Sequence, residues 1–202
     1  MCTDNNLTIA TQELESAFSV AEEWLTTNKE SINSINVYPV PDGDTGTNML
    51  LTLKAAIKEV QKNKYHSVSE FTEKLAYGAL LGARGNSGVI LSQMLKGFSE
   101  SFKQHKDITA ESMALGLEGA AKKAYSALAN PAEGTMLSVL RDAAKSAVDQ
   151  LKTSASVTDT LKISIDQAEE SVEKTKEQLP ELIEAGVVDA GAIGVLVILE
   201  GL

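Results

Sequence analysis

Two carboxylates set two residues apart, Asp42 and Asp44, lie in the run Asn36-Val-Tyr-Pro-Val-Pro-Asp-Gly-Asp-Thr-Gly-Thr-Asn48. Pro39 and Pro41 exclude a helix before Asp42, so the chain arrives extended and turns at Gly43 and Gly46. From such a loop both carboxylates can aim at one point, where two close anions are costly to hold unless a cation lies between them. A hard divalent ion fits. Directly behind them, Thr45, Thr47 and Asn48 are placed to cap the helix that follows, whose free N–H groups and positive end suit a phosphate. Carboxylates for a metal beside a phosphate cradle make a Mg-nucleotide site, because Mg²⁺ takes few protein ligands and shares phosphate oxygens. The plainer reading is a surface turn with a capped helix, for which Asp, Gly, Thr and Asn are ordinary residues. A calcium loop is excluded by spacing, since counting from Asp42 the position that needs a bidentate Glu holds Leu53.

Three further stretches have the same character. Gly82-Ala-Arg-Gly-Asn-Ser-Gly88 would waste backbone entropy inside a helix, so it reads as a turn where the backbone approaches something closely. A helix starting near Ser87 offers a second phosphate site with Gly88 in its first turn and Arg84 as the cation at hand; the alternative is a close helix crossing that needs glycine. Gly134-Thr135-Met136 opens a third helix, and Asp189-Ala-Gly191 a fourth. This is neither a Rossmann nor a Walker pattern, because the glycine spacing differs, no Gly-Lys-Ser/Thr follows and no strand precedes. No Ser-His-Asp or Cys-His system is readable, and His66 and His105 fall in polar segments between helices.

The elements that must position these stretches are helices. Leu14, Ala17, Phe18, Ala21, Trp24 and Leu25 recur at helical spacing and predict a first helix over 10–27, with a short helical turn over 30–35 after it. Helices are expected over 47–61, from a Ser67/Glu70 capping box onward, from about Ser87, over 109–128, from Thr135, over 158–178, and from the 185–194 stretch to Leu202. Sustained period-two alternation is missing and aromatic residues are 4%, low for a sheet protein. The expectation is an all-α domain, a barrel or bundle of about eight amphipathic antiparallel helices. Alternate helices then start at one end, so the four Gly-rich starts at Gly46, Gly88, Gly134 and Gly191 can enclose one anionic ligand there.

The chain has 202 residues, 43% hydrophobic, enough for one domain with a substantial core, and it contains no apolar run of membrane length. Residues 1–202 therefore read as a single domain. Formal charge is −10, so a nucleic-acid surface would be built against the field. With only two arginines, Arg84 and Arg141, metal ions must carry much of the compensation for a bound polyanion. The single cysteine, Cys2, cannot form an internal disulfide and fits a reducing cytoplasm. The last helix runs to Leu202 without a Gly, Pro or polar stop, which predicts that this domain is the N-terminal part of a longer chain.

Four segments, Pro-Asp-Gly-Asp-Thr-Gly-Thr-Asn, Gly-Ala-Arg-Gly-Asn-Ser-Gly, Gly-Thr-Met and Val-Val-Asp-Ala-Gly-Ala, resemble the kinase domain of bacterial fatty acid kinase, its ATP-binding subunit, which is related to the L subunit of dihydroxyacetone kinase. The resemblance spans essentially the whole chain. It implies an all-α barrel of eight helices in which three aspartates hold two Mg²⁺ ions that clamp the phosphates of ATP or ADP. Asp42 and Asp44 match two of them. The third would lie five residues earlier, at Val37, and a one-residue insertion brings Asn36 into that role. The same resemblance puts Thr45, Thr47, Asn48, Ser87 and Gly88 on the phosphates and Gly134, Thr135, Met136, Asp189 and Gly191 beside the nucleotide, with Asp42, Asp44 and Arg84 in catalytic roles. The implied reaction passes γ-phosphate to the carboxylate of a fatty acid presented by a separate fatty-acid-binding carrier protein, giving an acyl phosphate. The alternatives are a dihydroxyacetone kinase L-type subunit and a nucleotide- or metal-binding regulatory module without turnover.

Overall fold

A computed structural model describes residues 8–103, 105–151 and 156–202; Cys2 lies outside them. Among the described residues the chain forms α1 (Thr11–Ser34), α2 (Thr45–Val60), α3 (Val68–Gly82), α4 (Gly85–Ser101), α5 (Ala110–Ser126), α6 (Met136–Asp149), α7 (Val157–Thr175), α8 (Pro180–Ala185) and α9 (Ala190–Gly201). Two strands of two residues, β1 (Thr8–Ile9) and β2 (Ile108–Thr109), pair antiparallel and tie the start of α1 to the start of α5. The all-α expectation holds.

Eight helices close into a ring. Each of α1 to α6 packs on the next, α7 packs on α9, and α9 returns to α1. The six-residue α8 only bridges α7 to α9. It begins with Pro180 in its first turn and ends at Gly186 in the left-handed conformation, so the proline that stops α7 also starts a new helix. The closing helix α9 is buried on most of its circumference, with Val195, Val197, Ile198 and Leu199 all in the core. A helix apolar all round belongs inside, and each such side chain contributes roughly 1.5–3 kcal/mol on burial.

Some boundaries differ from expectation. The predicted turn over 30–35 is continuous with the first helix, because nothing between Thr27 and Glu30 breaks it. Thr26, Thr27 and Asn28 each donate back to the carbonyl four residues earlier, and Ile32 is fully buried in register with Leu25. The helices after the Asp loop and after Arg84 begin two residues earlier than predicted, at Thr45 and Gly85.

Candidate functional site

In a closed up-and-down ring, α2, α4, α6 and α9 start at one end. Their first residues line one cavity of about 530 Å³, which includes Asp42, Asp44, Thr45 and Asn48 from the Asp loop and α2, Ser87 from α4, Thr135 and Met136 from α6, and Asp189 and Gly191 from α9. The four stretches singled out in the sequence thus meet in space.

The Asp loop is built around Asn36, only 6% exposed. Its carboxamide oxygen accepts from the Asp44 N–H (3.2 Å), the Thr45 N–H (3.2 Å) and the Thr45 hydroxyl (2.9 Å), while its NH₂ group donates to the Val40 carbonyl (3.1 Å). Asn33 takes the Thr47 N–H and donates to the Thr47 hydroxyl. Capping of α2 therefore comes from two asparagines of the preceding segment rather than from Thr45, Thr47 and Asn48, and it leaves the Gly46 N–H without a partner among the described residues. The carboxylates are free of such duties. Asp42 is exposed and Asp44 half-buried, and neither carboxylate makes a hydrogen bond or ion pair among the described residues. No group of three or more His, Cys, Asp and Glu suited to a metal forms among the described residues, so a cation held by this pair would draw its remaining ligands from elsewhere.

Helix α4 is also open at its start. Its N-cap, Arg84, provides no side-chain bond, and the N–H groups of Gly85, Asn86 and Ser87 have no partner among the described residues. Gly85 has φ +56, and a β-carbon there would collide with the Asn48 carboxamide, so glycine is what lets α2 and α4 bring their first turns together. Ser87 is buried and donates weakly to the Thr45 carbonyl at 3.4 Å. Four predicted residues sit off the cavity lining. Thr47 faces α1 through Asn33, Gly88 faces Thr52 where α2 and α4 cross, Gly134 (φ +78) turns against Gln178, and the Arg84 side chain is exposed.

On the opposite wall the helix starts are closed. Thr135 caps α6 with its hydroxyl near the Leu137 N–H, and one oxygen of Asp189 accepts from Met136 N–H (3.0 Å) and Ala192 N–H (2.8 Å). A single carboxylate oxygen therefore joins α6 to α9. Asp189 is 4% exposed, and burial pushes its carboxyl up to about 6, with the backbone N–H bonds opposing. The lining also has an apolar part absent from the expected site: Val40 of the Asp loop, Val89 and Ile90 of α4, Leu128 and Ala132 before α6, and Leu137 of α6. The alternation of Leu128, Asn130 and Ala132 toward the cavity is a period-two signal, too short to read in the sequence.

A ring of eight helices with this cavity at one end is the architecture of a known class. The DAK2 domain model matches residues 39–202, and the chain belongs to that family. Protein YloV of Bacillus subtilis is 42% identical over 177 residues, covering 88% of this chain and 32% of YloV, and an uncharacterised protein of Staphylococcus haemolyticus matches at the same identity and coverage. The chain spans about a third of the length of these relatives. Among solved structures, the dihydroxyacetone kinase of C. freundii in complex with AMP-PNP and Mg²⁺ superposes with a TM-score of 0.68 at 19% identity, covering all of this chain and 35% of that one. Its native form superposes at 0.66. At that identity the likeness shows the fold.

Proposed function

We propose that this domain binds ATP with Mg²⁺ in the cytoplasm and passes the γ-phosphoryl group to the carboxylate of a fatty acid held by a separate fatty-acid-binding protein, giving an acyl phosphate for phospholipid synthesis. The observation that carries the nucleotide half is the division of the cavity. Part of the lining has unpartnered carboxylates and open helix N–H groups, and the rest consists of self-capped helix starts and apolar side chains contributed by both walls. Phosphates and metal suit the first, a base the second. The AMP-PNP and Mg²⁺ bound to the C. freundii enzyme of the same fold support binding of nucleotide and Mg²⁺.

Asp42 and Asp44 would hold Mg²⁺, in two ions, with phosphate oxygens and water completing the coordination. Bound there, the metal neutralises charge on the phosphate oxygens, and catalysis is otherwise positioning. The free N–H groups at Gly46 and at Gly85 to Ser87, with Thr45 and Asn48, cradle the phosphates. Thr135, Met136, Gly191 and the apolar side flank the base, while Thr47, Gly88, Gly134 and Asp189 act from behind by holding helix starts in place. Asn36 holds the loop; as a metal ligand it would have to release three donors. Arg84, free of ion pairs among the described residues, is the cation available at the rim. An oxygen of the acyl carboxylate then bonds to the γ-phosphorus as the bond to ADP breaks.

The fatty acid acceptor rests on the Asn36-Val-Tyr-Pro-Val-Pro lead and the Arg-Gly-Asn-Ser-Gly loop; dihydroxyacetone is the second acceptor, favoured by the shared fold. A melt with ATP alone, Mg²⁺ alone and both tests the site: only the pair should shift it strongly, by roughly 2.7 kcal/mol at ~100 times the dissociation constant. Equal shifts with and without Mg²⁺ would remove the metal from the reading. Acyl phosphate formed from Mg-ATP, carrier-bound fatty acid and the full-length chain, with dihydroxyacetone as the competing acceptor, decides between acceptors. Binding without transfer to either would favour a regulatory module.

A further inference from the structure

Between α5 and α6 the chain runs from Ala127 to Thr135 without regular structure. Leu128, Asn130 and Ala132 of this run line the cavity, whereas Glu133 is exposed and lies outside the lining. Among the described residues, no backbone N–H from Ala129 to Glu133 donates to another backbone carbonyl. The ends of the run are tied, Leu128 N–H to the Tyr125 carbonyl and Gly134 N–H to the Ser138 hydroxyl at 2.8 Å, and the Thr135 hydroxyl bonds the Ala132 carbonyl at 2.8 Å; between them, the side-chain bonds of the run converge on the Glu133 carboxylate. The Arg141 Nη1 donates to both of its oxygens, at 2.7 and 2.6 Å, and the Tyr125 hydroxyl donates to one at 2.9 Å.

Arg141 is itself held. Its Nε and Nη2 donate to Asp142 Oδ1 at 3.0 and 2.9 Å, and the other Asp142 oxygen accepts from the Ser171 hydroxyl of α7 at 2.8 Å. The guanidinium also lies over the Tyr125 ring, 5.8 Å from its centroid. Burial alone would raise the Glu133 carboxyl, but the bonds from Arg141 and Tyr125 outweigh it and leave it below its ordinary value. The chain has only two arginines. One is committed to this outer face, and its planar fork can grip a carboxylate while a second edge grips Asp142, which a lysine cannot do.

We propose that Arg141 is a positioning residue for the nucleotide site: through Glu133 it clamps the 127–135 run from outside and so fixes the apolar side against which the base rests. The inference rests on the nucleotide reading above. Arg141 and Glu133 are both about half exposed, so the pair adds little to global stability, and its loss loosens one wall without unfolding the ring.

The test uses Arg141→Lys and Glu133→Gln, with Glu111→Gln at an exposed position in the first turn of α5 as control. In nucleotide-free protein, both variants should speed hydrogen exchange of the amides over 128–135 by on the order of tenfold, with the melting temperature nearly unchanged. Affinity for Mg-ATP should fall by about tenfold, whereas affinity for Mg-tripolyphosphate, which has no base, should stay the same. Unchanged exchange and unchanged Mg-ATP affinity would overturn the clamp. An equal loss for both ligands would also overturn it, because that is the signature of general loosening. If the unmodified protein binds ATP no better than tripolyphosphate, the base site is misassigned, and the exchange measurement alone still decides whether Arg141 holds the run.

Discussion

Asp189 and the pair Asp42/Asp44 border the same cavity in opposite physical situations. Asp189 is buried, and its oxygen already serves the N–H groups of two helices. Asp42 and Asp44 stand on a loop whose helix is capped by Asn33 and Asn36 in their place, so among the described residues their negative charge has no partner. The same residue type is a joint on one wall and an open ligand on the other. What separates them is whether a neighbour has taken over the capping that the carboxylate would otherwise perform.

Removing the open ligands should have the largest effect. Asp42→Ala or Asp44→Ala is expected to weaken Mg-dependent nucleotide binding by at least about a hundredfold, since a paired metal site loses half its charge. Circular dichroism should show the helical ring intact, because neither side chain packs in the core. Near-full binding at saturating Mg²⁺ in either variant would show that the residue is not a ligand.

The joint should respond to pH instead. With its folded carboxyl at about 6 against an ordinary 3.8, Asp189 binds a proton more readily folded than unfolded. Its contribution is complete below about 4 and is lost as pH rises through about 6, a cost of about 3 kcal/mol for a shift of about two pH units. Asp189→Asn keeps an acceptor for Met136 and Ala192 but has no charge to bury. Urea unfolding of both proteins at pH 4 and pH 7 should find the Asn variant gaining on the parent by roughly that amount. A constant difference across the range would mean that Asp189 ionises without penalty.

The smallest effect belongs to the scaffold of the open side. Asn36→Ala strands two backbone donors, those of Asp44 and Thr45, and should cost about 2 kcal/mol in urea unfolding. Asn36→Asp restores the acceptors but turns an oxygen toward the Val40 carbonyl, so it should recover only part of the loss. If Asn36→Asp bound Mg-nucleotide more tightly than the parent, position 36 would be a metal ligand after all.

Most helices were legible because their apolar residues recur at helical spacing, and the Asp loop because two prolines and paired acids leave few alternatives. The side chains that make the cavity selective were not. Leu128, Ile90 and Leu137 carry no mark of a cavity in the sequence, since spacing reports that a residue is apolar and not which surface it meets. Thr47 and Gly88 have the composition of a phosphate loop yet face α1 and α2, because a helix turns each successive residue by about 100° and only the packed neighbours say which side is open. The sequence by itself determined an all-α chain with four polar helix starts and a rigid acidic loop, all of them consequences of local geometry. Only the tertiary structure decided which starts are capped by the protein and which remain open, because the capping groups Asn33, Asn36 and Asp189 reach donors 8 to 53 residues away.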